Sequence, residues 1–111
     1  MPDRIVYTAI FINKAKKFHK KHPSLKSDLA QLEASLLKTP RQGNDLGSGL
    51  YKIRMAVQSK GKGKSGGYRV ITYLISQSEN NTTINMLTIY DKSEEGTIDK
   101  KVLLQLIKEL F

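Results

Sequence analysis

The chain has no cysteine and no tryptophan, and only three of its 111 residues are proline. Without cysteine there are no disulfides, no thiolate metal sites and no cysteine nucleophile, so packing alone must hold the fold. No stretch approaches the roughly 18 consecutive apolar residues of a membrane-spanning helix. The opening Met1-Pro2-Asp3-Arg4-Ile5 lacks the basic-then-apolar pattern of a secretion signal, which makes the cytoplasm the expected location. Histidine is scarce too: His19 and His22 stand three apart with no acid close in sequence, as surface side chains would, and not as metal ligands. No Ser/His/Asp set, paired carboxylates or zinc-ligand spacing is present, so an enzyme here works without those groups, and no cofactor is expected.

Acidic residues are the next shortage, and it is regional. Residues 1–64 hold 14 Lys/Arg against 4 Asp/Glu, whereas residues 65–111 hold 5 against 6, within an overall charge of +9. A basic surface confined to part of a chain favours a polyanionic partner, with nucleic acid the commonest because each neutralised phosphate releases counterions. Solubility is the alternative use of the same charge. With 111 residues and 39% hydrophobic content, the chain fills one core and not two, so residues 1–111 are expected to form a single domain.

What is present sorts into short periodic segments. Ile5 to Phe11 is β-branched and aromatic, as a first strand would be. From about Ile12, apolar Ile12, Ala15 and Phe18 recur at helical spacing among Lys14, Lys16, Lys17, Lys20 and Lys21, until Pro23 ends the run. Leu25, Leu29, Leu32, Leu36 and Leu37 then line one face of a second helix that stops at Thr39-Pro40, giving a helical hairpin. Residues 41–49 read as a loop from Gly43, Asn44, Asp45, Gly47, Ser48 and Gly49. Leu50 to Gln58, Tyr68 to Gln77 and Thr83 to Lys92 are strand-like, the last two joined by a polar turn around Glu79-Asn80-Asn81. A final helix from about Thr97 carries Ile98, Val102, Leu106 and Leu110 four apart, flanked by Leu103 and Ile107, with Thr97 as N-cap and Asp99 in the first turn. The expected fold is α+β in the order β-α-α-β-β-β-α: a helical hairpin packed on a curved antiparallel sheet, closed by a C-terminal helix.

The chemistry concentrates on the meander. Period two places Lys52 and Arg54 on one face of their strand and Tyr51, Ile53, Met55 and Val57 on the other. Arg69 opens the next strand, and Tyr90 and Lys92 share a face at the end of the last. Four cations on neighbouring strands repel unless an anion lies between them, and phosphate suits Arg by bidentate bonding and Lys by point charge. Arg69 has the alternative of a structural ion pair with Asp91 or Glu94. Gly63-Lys64-Ser65 looks like the end of a phosphate-binding loop. The required earlier glycine is Gln58, however, and a strand follows where that motif needs a helix, so nucleotide binding is excluded. Lys60, Lys62 and Lys64 alternate with glycine, and a cationic finger on a nucleic-acid backbone fits them better than a plain loop. Tyr51, Tyr68 and Tyr73 are expected to pack, leaving Tyr90 as the aromatic site candidate.

Taken together, Tyr51-Lys52-Ile53-Arg54, Gly67-Tyr68-Arg69-Val70 and Ile89-Tyr90-Asp91-Lys92-Ser93 resemble the three strand signatures of RelE/ParE-superfamily toxins, and the resemblance covers almost the whole chain. The Gly-Lys-Gly-Lys-Ser-Gly-Gly insertion looks like a HigB/RelE-like subgroup. The resemblance implies a toxin of a type II toxin–antitoxin pair with a microbial-RNase-like fold, partnered by a cognate antitoxin. It also implies an mRNA interferase, a metal-independent endoribonuclease acting on mRNA in the ribosome to inhibit translation. By position, Lys52 and Arg54 fall where the family abstracts a proton or contacts phosphate, Arg69 where it holds the scissile phosphate, and Lys92 at a second phosphate-stabilising position. A lysine can serve as base where positive neighbours disfavour its protonated form, which makes Lys52 the candidate base. The family places a tyrosine early in the last helix where this chain has Ile98, so Tyr90 is the candidate acid. A ParE-like, non-enzymatic gyrase inhibitor and a non-catalytic nucleic-acid binder are the competing readings, since fold does not fix function.

Overall fold

A computed structural model of the chain describes residues 3–61, 67–79, 81–93, 96 and 98–111. The first strand is shorter than its β-branched sequence predicts: β1 is Arg4–Tyr7, and α1 already runs from Ala9 to Lys21. Thr8 is the reason. Its hydroxyl accepts from the N–H of Phe11 at 3.0 Å and donates to the carbonyl of Leu87 at 2.8 Å. It thus caps the helix and ties that end to the sheet. Thr8→Ala removes both bonds and is expected to cost about 1–2 kcal/mol, read as a lower urea midpoint at unchanged m-value.

After α1, Pro23 separates it from α2, Leu25–Lys38, as the sequence predicts. Leu25, Leu32 and Leu36 of the expected stripe are buried and Leu29 is half-buried, but Leu37 is 48% exposed, because it lies one position round the helix from Leu36. The Tyr7 hydroxyl donates to Glu33 of α2, joining β1 to the hairpin. Burial, and then the Glu33 carboxylate, raise the Tyr7 pKa above its ordinary value. A raised folded-state pKa means that the stabilisation is fully present below the unfolded value of about 10 and lost as pH climbs from there towards the folded value. Tyr7→Phe is therefore expected to be less stable than the parent at pH 7, with the gap closing above about pH 10. Urea titrations at both pH values check it.

β3, β4 and β5 are Leu50–Met55, Tyr68–Ser78 and Asn81–Asp91, an antiparallel meander as expected. Two strands are added to it. β2, Asn44–Gly47, pairs antiparallel with β3 inside the segment that glycine content marks as loop. It is a four-residue edge strand, its register shifts between Asp45 and Gly47, and Gly43, Gly47 and Gly49 flank or close it at positive φ. β1 pairs parallel with β5, so the full sheet, β1-β5-β4-β3-β2, is mixed where an antiparallel one was expected. The helical hairpin supplies the crossover that a parallel pairing requires.

Each face of this sheet carries its own core. Phe11, Phe18, Leu25 and Leu36 of the hairpin meet Ile53, Val70, Met86 and Ile89 on one face. On the other, Leu103 meets Leu50, Ile71, Leu87 and Tyr90. A bulge at Leu87 makes this possible: Ile71 pairs Thr88 and Thr72 pairs Met86, so Leu87 is the extra residue and the strand changes phase. α3 is Lys100–Leu110, capped by Asp99, whose carboxylate accepts from the N–H of Lys101 at 3.0 Å. The helix thus begins later than expected; Thr97, the expected cap, lies outside the described residues. The inward residues also differ. Leu103 is 1% exposed, with Leu106 and Ile107 packed beside it, while Val102 is 53% and Leu110 44% exposed. A line of residues four apart overshoots the helical turn by about 40° per step, so it spirals off the buried face.

Candidate nucleic-acid interface

Leu50, Lys52 and Arg54 share one side of β3, facing away from the hairpin, while Ile53 and Met55 enter the hairpin core. Leu50 is covered on the α3 side of the sheet, Lys52 is half-buried, and Arg54 is exposed. The cationic face predicted for this strand therefore opens progressively towards its C-terminal end, beyond the part that belongs to the α3 core.

Register then assembles the site. Arg54 pairs with Arg69, and Arg69 pairs with Tyr90, so the three form one row across β3, β4 and β5. Directly opposed side chains have their Cβ atoms about 4.5–5.5 Å apart, and like charges there are destabilising. Lys52 sits in the next row, with Ile71 and Thr88. Lys92 is exposed and lies just past β5, where its N–H donates to the carbonyl of Gly67 at 3.3 Å. All five predicted residues thus belong to one end of the meander, at different depths. Arg54 and Lys92 are exposed, Lys52 is intermediate, and Arg69 and Tyr90 are 5% and 2% exposed.

The two buried members are held differently. Arg69 donates to the carbonyl of Tyr68 at 3.4 Å, and Tyr90 packs into the α3 core with Leu50, Ile71, Leu87 and Leu103. Asp91, a predicted alternative partner of Arg69, is 4% exposed, and its Oδ1 accepts from both the N–H and the hydroxyl of Ser93 at 2.9 and 2.8 Å. Glu94, the other alternative, lies outside the described residues. So do Lys62 and Lys64; Lys60 closes a short 3-10 turn, Gln58–Lys60, and its side chain is likewise undescribed.

Tyr68 is fully buried, and Tyr51 and Tyr73 pack against the two cores, as expected of strand tyrosines. Among the described residues no group of three His, Cys, Asp or Glu side chains could hold a metal ion. A hollow of about 490 Å³ lies between α1 and α2, lined by Phe11, Ala15, Leu25 and Leu29 with Lys16 and Lys26. It belongs to the hairpin side of the sheet, not to the cationic row.

A helical hairpin on one face of a five-stranded sheet, a third helix on the other, and opposed arginines at the open end define the class, a small α+β domain with a cationic sheet end. The chain matches the RelE toxin family, the toxin of the RelE/RelB toxin–antitoxin system, over residues 4–110, and it belongs to that family. Family membership makes it the toxin of a toxin–antitoxin pair, with an antitoxin as partner. Among solved structures it is similar to a doubly substituted variant of Escherichia coli toxin RelE in the free state. Identity is 15% and the TM-score 0.61, with 100% of each chain covered, a likeness of fold. No helix among the described residues is long and apolar enough to cross a membrane.

Proposed function

We propose that this toxin is a metal-independent endoribonuclease that cuts mRNA on the ribosome and so arrests translation in the cytoplasm. The observation that carries the reading is the Arg54–Arg69 pair, two like charges set directly opposite each other at the accessible end of the sheet. A phosphate bound at this end of the sheet meets Arg54 from the surface, with Lys52 and Lys92 on the same end of the meander to share its charge.

In the reaction a ribose 2′-OH attacks its own 3′-phosphate, and the bond to the 5′-oxygen of the next nucleotide breaks. The products are a 2′,3′-cyclic phosphate and a 5′-hydroxyl. Lys52, in the row behind Arg54, takes the 2′ proton. Arg54 meets the non-bridging oxygens from the surface, and Arg69 adds positive charge from beneath, where the poorly hydrated interior strengthens its effect. The leaving oxygen needs a proton. Tyr90, 2% exposed among apolar side chains, serves the row from below, and the exposed Lys92 is the donor within reach of solvent and substrate. Lys60, Lys62 and Lys64 add cationic contacts to the RNA backbone.

The test is a translating extract in which new mRNA 5′ ends are mapped with the parent chain and with Arg54→Ala. Codon-phased cuts that disappear in the variant support ribosome-dependent cleavage. Intact mRNA together with gyrase-linked DNA breaks moves the function to gyrase inhibition. Intact mRNA with salt-sensitive RNA retention and undiminished translation leaves a binder.

A further inference from the structure

Lys92 is the first residue past β5, and its backbone is held from both sides. Its own N–H donates to the carbonyl of Gly67 at 3.3 Å. Its two chain neighbours close a turn around it: Asp91 Oδ1 accepts from the Ser93 N–H at 2.9 Å and from the Ser93 hydroxyl at 2.8 Å. A carboxylate that accepts from the N–H two residues on fixes the backbone of the residue between them.

The turn stands on a rigid base. Asp91 is 4% exposed and pairs in register with the fully buried Tyr68. The Tyr68 ring meets Phe18 and His22 edge-on, at 4.8 and 5.8 Å between centroids, which ties this row to the helical hairpin. Met55 and Gly67 belong to the two stems of the β3–β4 connection, and these stems touch so closely that a Cβ on Gly67 would stand 2.2 Å from the Met55 carbonyl oxygen. The carbonyl that holds Lys92 is therefore itself fixed. Burying a carboxylate at Asp91 is unfavourable, and the two bonds from Ser93 offset part of that cost.

The place of Lys92 along the sheet explains why such a turn is needed. β3 and β5 each pair antiparallel with β4, so they run in the same direction. Lys52 precedes the Arg54–Arg69–Tyr90 row by two residues on β3, and Lys92 follows it by two residues after β5. The two lysines thus lie on opposite sides of the arginines along the strand direction, each about 7 Å away at strand spacing. An in-line displacement has its attacking and leaving oxygens on opposite sides of phosphorus. With Lys52 on the attacking side, the leaving oxygen faces Lys92.

We infer that Asp91 and Ser93 are positioning residues that hold Lys92 on the leaving-group side of the phosphate, so that Lys92, and not the buried Tyr90, protonates the departing 5′-oxygen. The inference rests on the ribonuclease reading above. As the 2′-oxygen bonds to phosphorus and the bond to the 5′-oxygen breaks, the Lys92 ammonium gives that oxygen a proton. It is left as a neutral amine, which solvent reprotonates.

The experiment uses ribosomes programmed with a synthetic mRNA that carries, at the site the parent chain cuts, either the ordinary bridging 5′-oxygen or a 5′-sulfur. A thiolate leaves without a proton, so sulfur repairs a defect in proton delivery but not one in phosphate binding or folding. On the oxygen substrate at saturating toxin, Lys92→Ala should cut about 10²-fold more slowly than the parent, and Ser93→Ala, which takes one of the two bonds from Asp91, about 10-fold more slowly. The half-saturating concentration of Ser93→Ala should stay within about twofold of the parent's. On the sulfur substrate both should come within about threefold of the parent, while Arg54→Ala stays slow. Ser93→Thr, which keeps the hydroxyl, should restore cleavage of the oxygen substrate. A parent chain that leaves both substrates intact overturns the ribonuclease reading, and the inference with it. If the parent cuts but Lys92→Ala is equally slow on both substrates, Lys92 is not the proton donor and the inference alone fails. It fails also if sulfur rescues Lys92→Ala while Ser93→Ala matches the parent on oxygen, or is slow on both substrates.

Discussion

Arg54→Ala is expected to lower RNA cleavage by on the order of 10²–10⁴-fold while leaving stability unchanged or raising it by up to about 1 kcal/mol. The two signs come from one geometric fact. Arg54 is exposed and directly opposes Arg69, which is 5% exposed. Truncating the exposed partner costs almost no buried apolar surface and removes a like-charge neighbour. In the Michaelis complex, by contrast, the same guanidinium meets the phosphate on which negative charge develops. A residue that only supported the fold would lose stability and activity together, so a urea midpoint and a cleavage rate on the same preparation decide the matter. Loss of cleavage with a midpoint at or above the parent's fits a catalytic cation; a parallel fall in both places Arg54 among the structural residues. Arg69→Ala cannot serve as this control, because it empties a buried site and leaves its partner groups unsatisfied.

How far the sequence anticipates this site depends on which physical signal places each residue. Period two along β3 is sufficient to put Lys52 and Arg54 together, and the order of the meander brings Arg69, Tyr90 and Lys92 to the same end. Depth is a different matter. Tyr90 and Arg69 look like surface residues while only one sheet face is assumed to carry a core, and here α3 builds a second core on the other face. The bulge at Leu87 shifts the phase of β5 midway, and no single-residue signal in Asn81–Asp91 announces it. The parallel pairing of β1 is equally invisible, since it joins residues about 79 apart in sequence and local propensity carries no information at that range. Thr8 and Ser24 make the complementary point. Both are residues of good capping type, Ser24 next to a predicted helix and Thr8 inside the segment expected to be strand. Thr8 caps, whereas Ser24 crosses to another element, and only the position of Ser59 beside it separates the two cases.

Gly67→Ala is expected to have the largest effect on stability, about 3 kcal/mol or more. A Cβ at this position would stand 2.2 Å from the carbonyl oxygen of Met55, 3.1 Å from its carbon and 3.2 Å from the Cα of Ala56. All three are backbone atoms of the β3 stem, so no side chain can swing aside, and the strands must separate to admit one methyl group. The consequence reaches the site, because the carbonyl of Gly67 accepts from the N–H of Lys92 at 3.3 Å, and Arg69 follows only two residues later. Forcing β3 away from β4 at this end moves Arg54 off Arg69 and Lys92 off its anchor in one step. Gly67→Ala should therefore lose cleavage and urea stability together, the opposite of the Arg54→Ala signature. Gly61, where an added Cβ meets nothing within 4 Å, supplies the matched control, although its φ of 67° gives alanine a strain of about 1 kcal/mol. A Gly67→Ala chain that melts no earlier than Gly61→Ala would show that the two stems do not approach as closely as the 2.2 Å contact requires.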